Sequence, residues 1–94
     1  LKTEDIILAD INQTTLMIYS REGIYQTTET LTRFQQRISS SNFIQVSRHA
    51  VINIDHLESL SDSFSGNMTA KLTNQIKTEV SRRYVKLLME YLGI

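Results

Sequence analysis

The chain contains no cysteine, which excludes a disulfide framework and any thiolate metal site. It has no long apolar run: Ile6 to Ala9, Ala50 to Ile52 and Leu87 to Met89 are far too short to cross a bilayer, and no basic stretch followed by an apolar one opens the sequence. We therefore expect a cytoplasmic segment with no membrane contact. Its glycines, Gly23, Gly66 and Gly93, are isolated, so no glycine-rich phosphate loop exists. There is no internal repeat and no low-complexity segment. Ten basic and ten acidic residues cancel to zero formal charge, which argues against a protein that grips nucleic acid through bulk positive charge. With 94 residues the chain suits one domain, spanning 1–94, with a core that is marginal in surface-to-volume terms. It begins at Leu1, not methionine, so we expect a piece of a longer protein.

What charge there is falls in blocks. Residues 1–29 carry Lys2 and Arg21 against five acids, whereas residues 30–54 carry Arg33, Arg37 and Arg48 and no acid. Residues 71–89 hold Lys71, Lys77, Arg82, Arg83 and Lys86 against Glu79 alone. Such segregation fits either a nucleic-acid contact or an unevenly charged solvated surface.

Periodicity predicts a mainly β chain. Ile6-Ile7-Leu8-Ala9 reads as a buried strand, Thr15 to Ser20 as a half-exposed one, and Ile24 to Thr27 as its hairpin partner beyond a turn at Arg21-Glu22-Gly23. Leu31, Phe34 and Ile38 recur at helical spacing, with Thr28 or Thr30 as N-cap and Ser39-Ser40-Ser41-Asn42 as the stop. Phe43 to Asn53 places Ser47-Arg48-His49 between two apolar runs, a tip between strands. Strands are then expected at Ser59 to Phe64, Met68 to Leu72 and Ile76 to Val80, with turns at Gly66-Asn67 and Thr73-Asn74-Gln75. Val85, Leu88 and Leu92 give a last helix, Arg82 to Leu92, capped by Ser81 and ended by Gly93. No helix alternates with each strand, so the sheet should be antiparallel.

Two arginine-bearing tips carry the functional signal. If Ser81 is the N-cap, Arg82 and Arg83 occupy the first helical positions, where the macrodipole disfavours cations slightly but free N–H groups and guanidinium groups make a phosphate site. Alternatively, both point into water or pair with Glu79 and Asp55. Arg48 at its tip either reaches guanine O6 and N7 through a bidentate fork or is an ordinary solvated loop arginine. Ser47 and His49 either donate to phosphate or shape the turn. Asn12, Gln13 and Thr14 form a third polar tip, suited to base edges or simply to turning the chain. Asn53 reads as a turn residue bonded to its own backbone.

Enzyme and metal readings are weak. His49 and His56 are the only histidines and have no zinc-like spacing to other ligands, so no metal or cofactor is expected. Ser47, His49 and Asp55 are triad residue types without an elbow or oxyanion hole, so we read the chain as a non-enzyme.

The segment Phe43-Ile44-Gln45-Val46-Ser47-Arg48-His49-Ala50-Val51-Ile52-Asn53 is similar to the Phe-x-Arg-x-His-Arg-Ser-x-x-Val-Asn pattern of the LytTR DNA-binding domain, the effector module of LytR and AlgR-type bacterial transcription regulators. Ile54 to Leu60 continues the likeness, and Val80-Ser81-Arg82-Arg83-Tyr84 resembles that family's closing Val-Ser-Arg-Arg-Tyr before a short helix. The resemblance covers nearly the whole chain. It implies an elongated antiparallel β fold with two short helices whose loops enter successive major grooves. By position, Arg48 and Arg83 match base-reading residues, Arg82 a phosphate contact, and the loop Asn12 to Thr14 a third contact region, shortened here. Gln45, Ser47 and His49 depart from the pattern, which bears on the preferred DNA sequence. The implied partner is double-stranded DNA, at promoter sites arranged as paired repeats, bound by a homodimer. The chain would be the C-terminal part of a longer regulator, of the kind often joined to a phosphorylatable receiver in two-component systems. The competing function is a β-rich protein-interaction or self-association module.

Overall fold

The computed structural model describes residues 2–38 and 42–94. Strands β1 (Ile6–Asn12), β2 (Thr15–Ser20), β3 (Gly23–Thr27), β4 (Phe43–Ser47) and β5 (Ala50–Asn53) form an antiparallel sheet in the order β3-β2-β1-β5-β4. A second antiparallel sheet is the meander β6 (Leu57–Asp62), β7 (Met68–Leu72), β8 (Lys77–Val80). Helices α1 (Leu31–Ile38) and α2 (Arg82–Leu92) complete it.

The central position of β1 explains its unbroken apolar run, since both of its faces are covered. The register against β2 slips between Ile6 and Leu8, and this bulge turns Ile7 and Leu8 toward the same layer. Ile6 and Ala9 go to the other face, where Leu31 and Phe34 of α1 pack with Leu16, Ile18 and Val51. Ile7, Leu8, Val46, Ala50 and Ile52 meet Ala70, Leu72 and Val80 of the second sheet and Leu88 of α2. Thr30 caps α1 by accepting the Arg33 N–H at 3.1 Å. The Phe34 ring meets Phe43 edge-on, with centroids 6.5 Å apart.

Two buried polar residues lock the layers. Asn53 accepts the Asp55 N–H at 3.0 Å, as its turn position predicts, and also donates from Nδ2 to the Ile6 carbonyl at 2.9 Å. His56 lies 2.9 Å from the Thr73 hydroxyl and donates from Nε2 to the Glu4 carbonyl at 2.8 Å. A carbonyl can only accept, so the His56 tautomer is fixed and its role is structural.

Helix bounds agree with the sequence expectation, and some strand bounds differ. β6 runs Leu57–Asp62, so Phe64 stands outside it in the turn, 86% exposed. β8 begins at Lys77, because Ile76 closes the preceding turn through its N–H to Thr73 O. Of the expected stop after α1, Ser39 to Ser41 lie outside the described residues. The extents, 31 × 24 × 23 Å, make the elongation slight, because the second sheet lies back on the first and shares its core.

Candidate nucleic-acid interface

β4 and β5 are joined by the tip that carries Arg48. Their register slips between Gln45 and Ser47, leaving Val46 as the extra residue and pairing Ser47 with inward-facing Ala50. Ser47 is thereby turned into the protein, 2% exposed, with its Oγ accepting the His49 N–H at 3.3 Å and its carbonyl accepting from Gln45 Nε2 at 2.9 Å. Of its two open roles, this contact is turn shaping. Arg48 and His49 are exposed.

The same bulge frees the Val46 carbonyl, which accepts the Ser81 N–H at 2.9 Å. That bond sets the start of α2 directly beside the Arg48 tip. Ser81 occupies the N-cap position without using its hydroxyl as a cap. Instead Asn67, from the turn between β6 and β7, accepts the Arg82 N–H through Oδ1 at 2.8 Å. Gly66 has φ of +84°, and a Cβ there would come 2.8 Å from Arg82 Cδ, so the bare glycine lets the Arg82 stem lie across the turn.

The acids proposed as partners are engaged elsewhere. Glu79 accepts from Asn67 Nδ2 at 3.1 Å, and Asp55 from Asn42 Nδ2 at 2.8 Å. Among the described residues the ion pairs are Arg21 with Asp5, Arg37 with Glu29 and His49 with Asp10. Arg48, Arg82 and Arg83 are exposed and enter none of these.

The third tip joins the same end of the molecule. The Ile11 N–H donates to the His49 carbonyl at 2.8 Å, placing the β1–β2 turn next to the Arg48 tip. Asn12, Gln13 and Thr14 are all exposed there, and Gln13 has φ of 59°, a left-handed conformation uncommon outside glycine. Asn12, Gln13, Thr15, Met17 and Gln26 line a shallow groove of about 400 Å³. Sequence reasoning missed Asn67, Gly66 and Asp10 as supports of this end. Gly66-Asn67 was legible only as a turn, and the partnership of Asp10 with His49 depends on strand pairing across 39 residues.

One part of the charge reading does not survive. The antiparallel topology puts Lys71 and Lys77, at the β7–β8 turn, at the opposite end from Arg82 and Arg83. The basic block 71–89 is therefore split, and its arginines are the part that sides with Arg48.

Comparison with known proteins agrees with this geometry. The family described as LytTr DNA-binding domain matches residues 1–93. Among similar proteins are the sensory transduction protein LytR of Staphylococcus epidermidis, 32% identical over 96% of this chain and 36% of that protein, and LytT of Enterococcus faecalis, 32% identical over 97% and 38%. The transcriptional regulatory protein LytR of Staphylococcus aureus is 29% identical over 100% and 38%. The chain thus spans a little over a third of the length of these relatives. A solved LytTr DNA-binding domain of a Bacillus cereus response regulator superposes with a TM-score of 0.90 at 15% identity, covering 100% of this chain and 86% of that one, a likeness of fold. The chain belongs to the LytTr DNA-binding domain family.

Proposed function

We propose that this chain is the effector domain of a cytoplasmic bacterial transcription regulator and binds double-stranded promoter DNA sequence-specifically, as a homodimer on paired repeats. The observation that carries this is the Ser81 to Val46 bond, which gathers Arg48, Arg82 and Arg83 at one end while no acid among the described residues pairs with them. Arg48 reads a guanine edge in the major groove through its planar fork. Arg83 reads a second base. Arg82, leaning over Gly66, holds phosphate. Asn12, Gln13 and Thr14 contact the backbone or base edges beside Arg48. Ser47 acts only by setting the tip. These residues bind and orient a ligand, so the activity is recognition and not catalysis.

The test is an unbiased duplex selection followed by competition against scrambled DNA over a range of salt. Steep salt dependence with a surplus for the selected sequence supports the proposal, and uniform weak binding to all duplexes overturns it. A self-association reading has one observation in its favour. β3 is an edge strand, and its Ile24 and Tyr25 are 58% and 44% exposed. Salt-insensitive dimerisation without DNA binding would favour that reading.

A further inference from the structure

At the DNA-facing end one imidazole is held in a defined orientation by a carboxylate, an arrangement that neither Arg48 nor the α2 arginines require. His49 Nδ1 lies 2.8 Å from Asp10 Oδ1, with the His49 side chain 59% exposed and that of Asp10 32%. Asp10 cannot drift from the ring. It pairs with Ala50 across the strands, and the next residue, Ile11, donates its N–H to the His49 carbonyl. An acid placed among groups that face phosphate weakens DNA binding by repulsion, so its position there suits a positioning role. An ionised carboxylate only accepts, so Nδ1 carries the hydrogen and, in the neutral ring, Nε2 presents a lone pair. No hydrogen bond engages Nε2 among the described residues.

We propose that His49, oriented by Asp10, is a specificity-determining residue whose Nε2 accepts a hydrogen bond from the exocyclic amine of cytosine or adenine in the major groove. The inference rests on the DNA-binding reading above. In that groove cytosine N4 and adenine N6 are the amine donors, whereas guanine and thymine offer acceptors at the corresponding positions. Protonation turns Nε2 into a donor and reverses the preference. The groups around the ring are Asp10 from β1, Tyr19 from β2 across the shared groove, and the adjacent Arg48, so an imidazolium would meet one carboxylate, one phenol and one guanidinium.

The experiment uses the 94-residue chain, its selected duplex, and duplexes changed one base pair at a time, with wild type, H49A and D10A. The wild type should favour an amine-bearing base at one step by about five-fold, the worth of one hydrogen bond, and H49A should lose that preference. D10A should lose it too, while binding scrambled DNA as tightly as wild type or more tightly, because a negative charge has gone. In the free protein, ¹⁵N shifts should place the His49 hydrogen on Nδ1. An unaltered base profile in H49A, a hydrogen on Nε2, or equal weakening of D10A on selected and scrambled duplexes would overturn the inference alone. A wild type that selects no duplex would sink the DNA-binding reading and this inference with it.

Discussion

Arg48 projects from a turn whose geometry is fixed behind it by a buried serine, and this separates the exposed side chain from the one that supports it. Arg48→Ala should relax base choice at one or two positions, since a bidentate guanine contact is worth about 1–3 kcal/mol, and Arg48→Lys should restore little because an ammonium lacks the planar fork. Competition binding with single-base-pair variants checks this; equal losses on selected and random duplexes would show a phosphate contact instead. Asn53 makes the contrasting case at the core. Asn53→Ala strips partners from the buried Ile6 carbonyl and the Asp55 N–H, so we expect about 1–3 kcal/mol of lost stability in denaturant unfolding with base preference unchanged in the folded fraction. The sequence showed the arginines because charge at a tip is a local property. It could not show that Ser47 turns inward, since a bulge at Val46 reverses the alternation on which facing arguments depend.

At the scale of elements, both helices start with a cap, but only one cap was local. Thr30 is adjacent to α1 and legible, whereas α2 borrows Asn67 from a turn 15 residues upstream. Asn67→Ala should therefore cost about 1 kcal/mol in thermal or denaturant unfolding, typical of a lost N-cap, and should weaken DNA binding beyond that by loosening the helix start that presents Arg82 and Arg83. α1 is tied to the connection before it by Glu29, whose carboxylate lies 2.6 Å from Arg37 Nη2. The Arg37 hydrogen bond holds the Glu29 carboxyl below its ordinary range despite the opposing effect of desolvation, and raises that of Arg37 in turn. Because the folded-state value is depressed, the contribution is present above the ordinary glutamate range near about pH 4.3 and is lost as pH falls through the folded value. Arg37 is 58% exposed, so solvent screening keeps the pair at about 0.5 kcal/mol, and Glu29→Gln should remove that increment at neutral pH and progressively less as pH falls through the folded value. Element type and order were otherwise readable, because helical and alternating spacings fall in separate segments. Strand ends at Phe64 and Ile76 were not, since short one-turn connections took residues whose apolar character suggested strand.

Across the whole molecule, both signs of charge occur at both ends: Asp10, Asp62 and Glu79 share the end of Arg48, Arg82 and Arg83, and Arg21, Lys71 and Lys77 share the other. Glu4, Asp5, Glu22 and Asp55 lie where β1 begins, β2 turns into β3 and β5 ends, opposite the end that carries Arg48, Arg82 and Arg83. Linear blocks foretold part of this. The rest needed the antiparallel topology, which sends Lys71 and Lys77 away from the arginines. The central claim is that the start of α2 and the Arg48 tip form one DNA-facing surface, with adjacent arginines in different roles because successive helical residues point about 100° apart. The most direct measurement is a salt titration of wild type, Arg82→Ala and Arg83→Ala on the selected and scrambled duplexes. Arg82→Ala should weaken both duplexes by a similar factor and lower the salt slope by about one unit, whereas Arg83→Ala should remove much of the surplus for the selected sequence. Identical losses in the two variants, or no loss in either while both remain folded, would contradict the placement of this helix start on the DNA face.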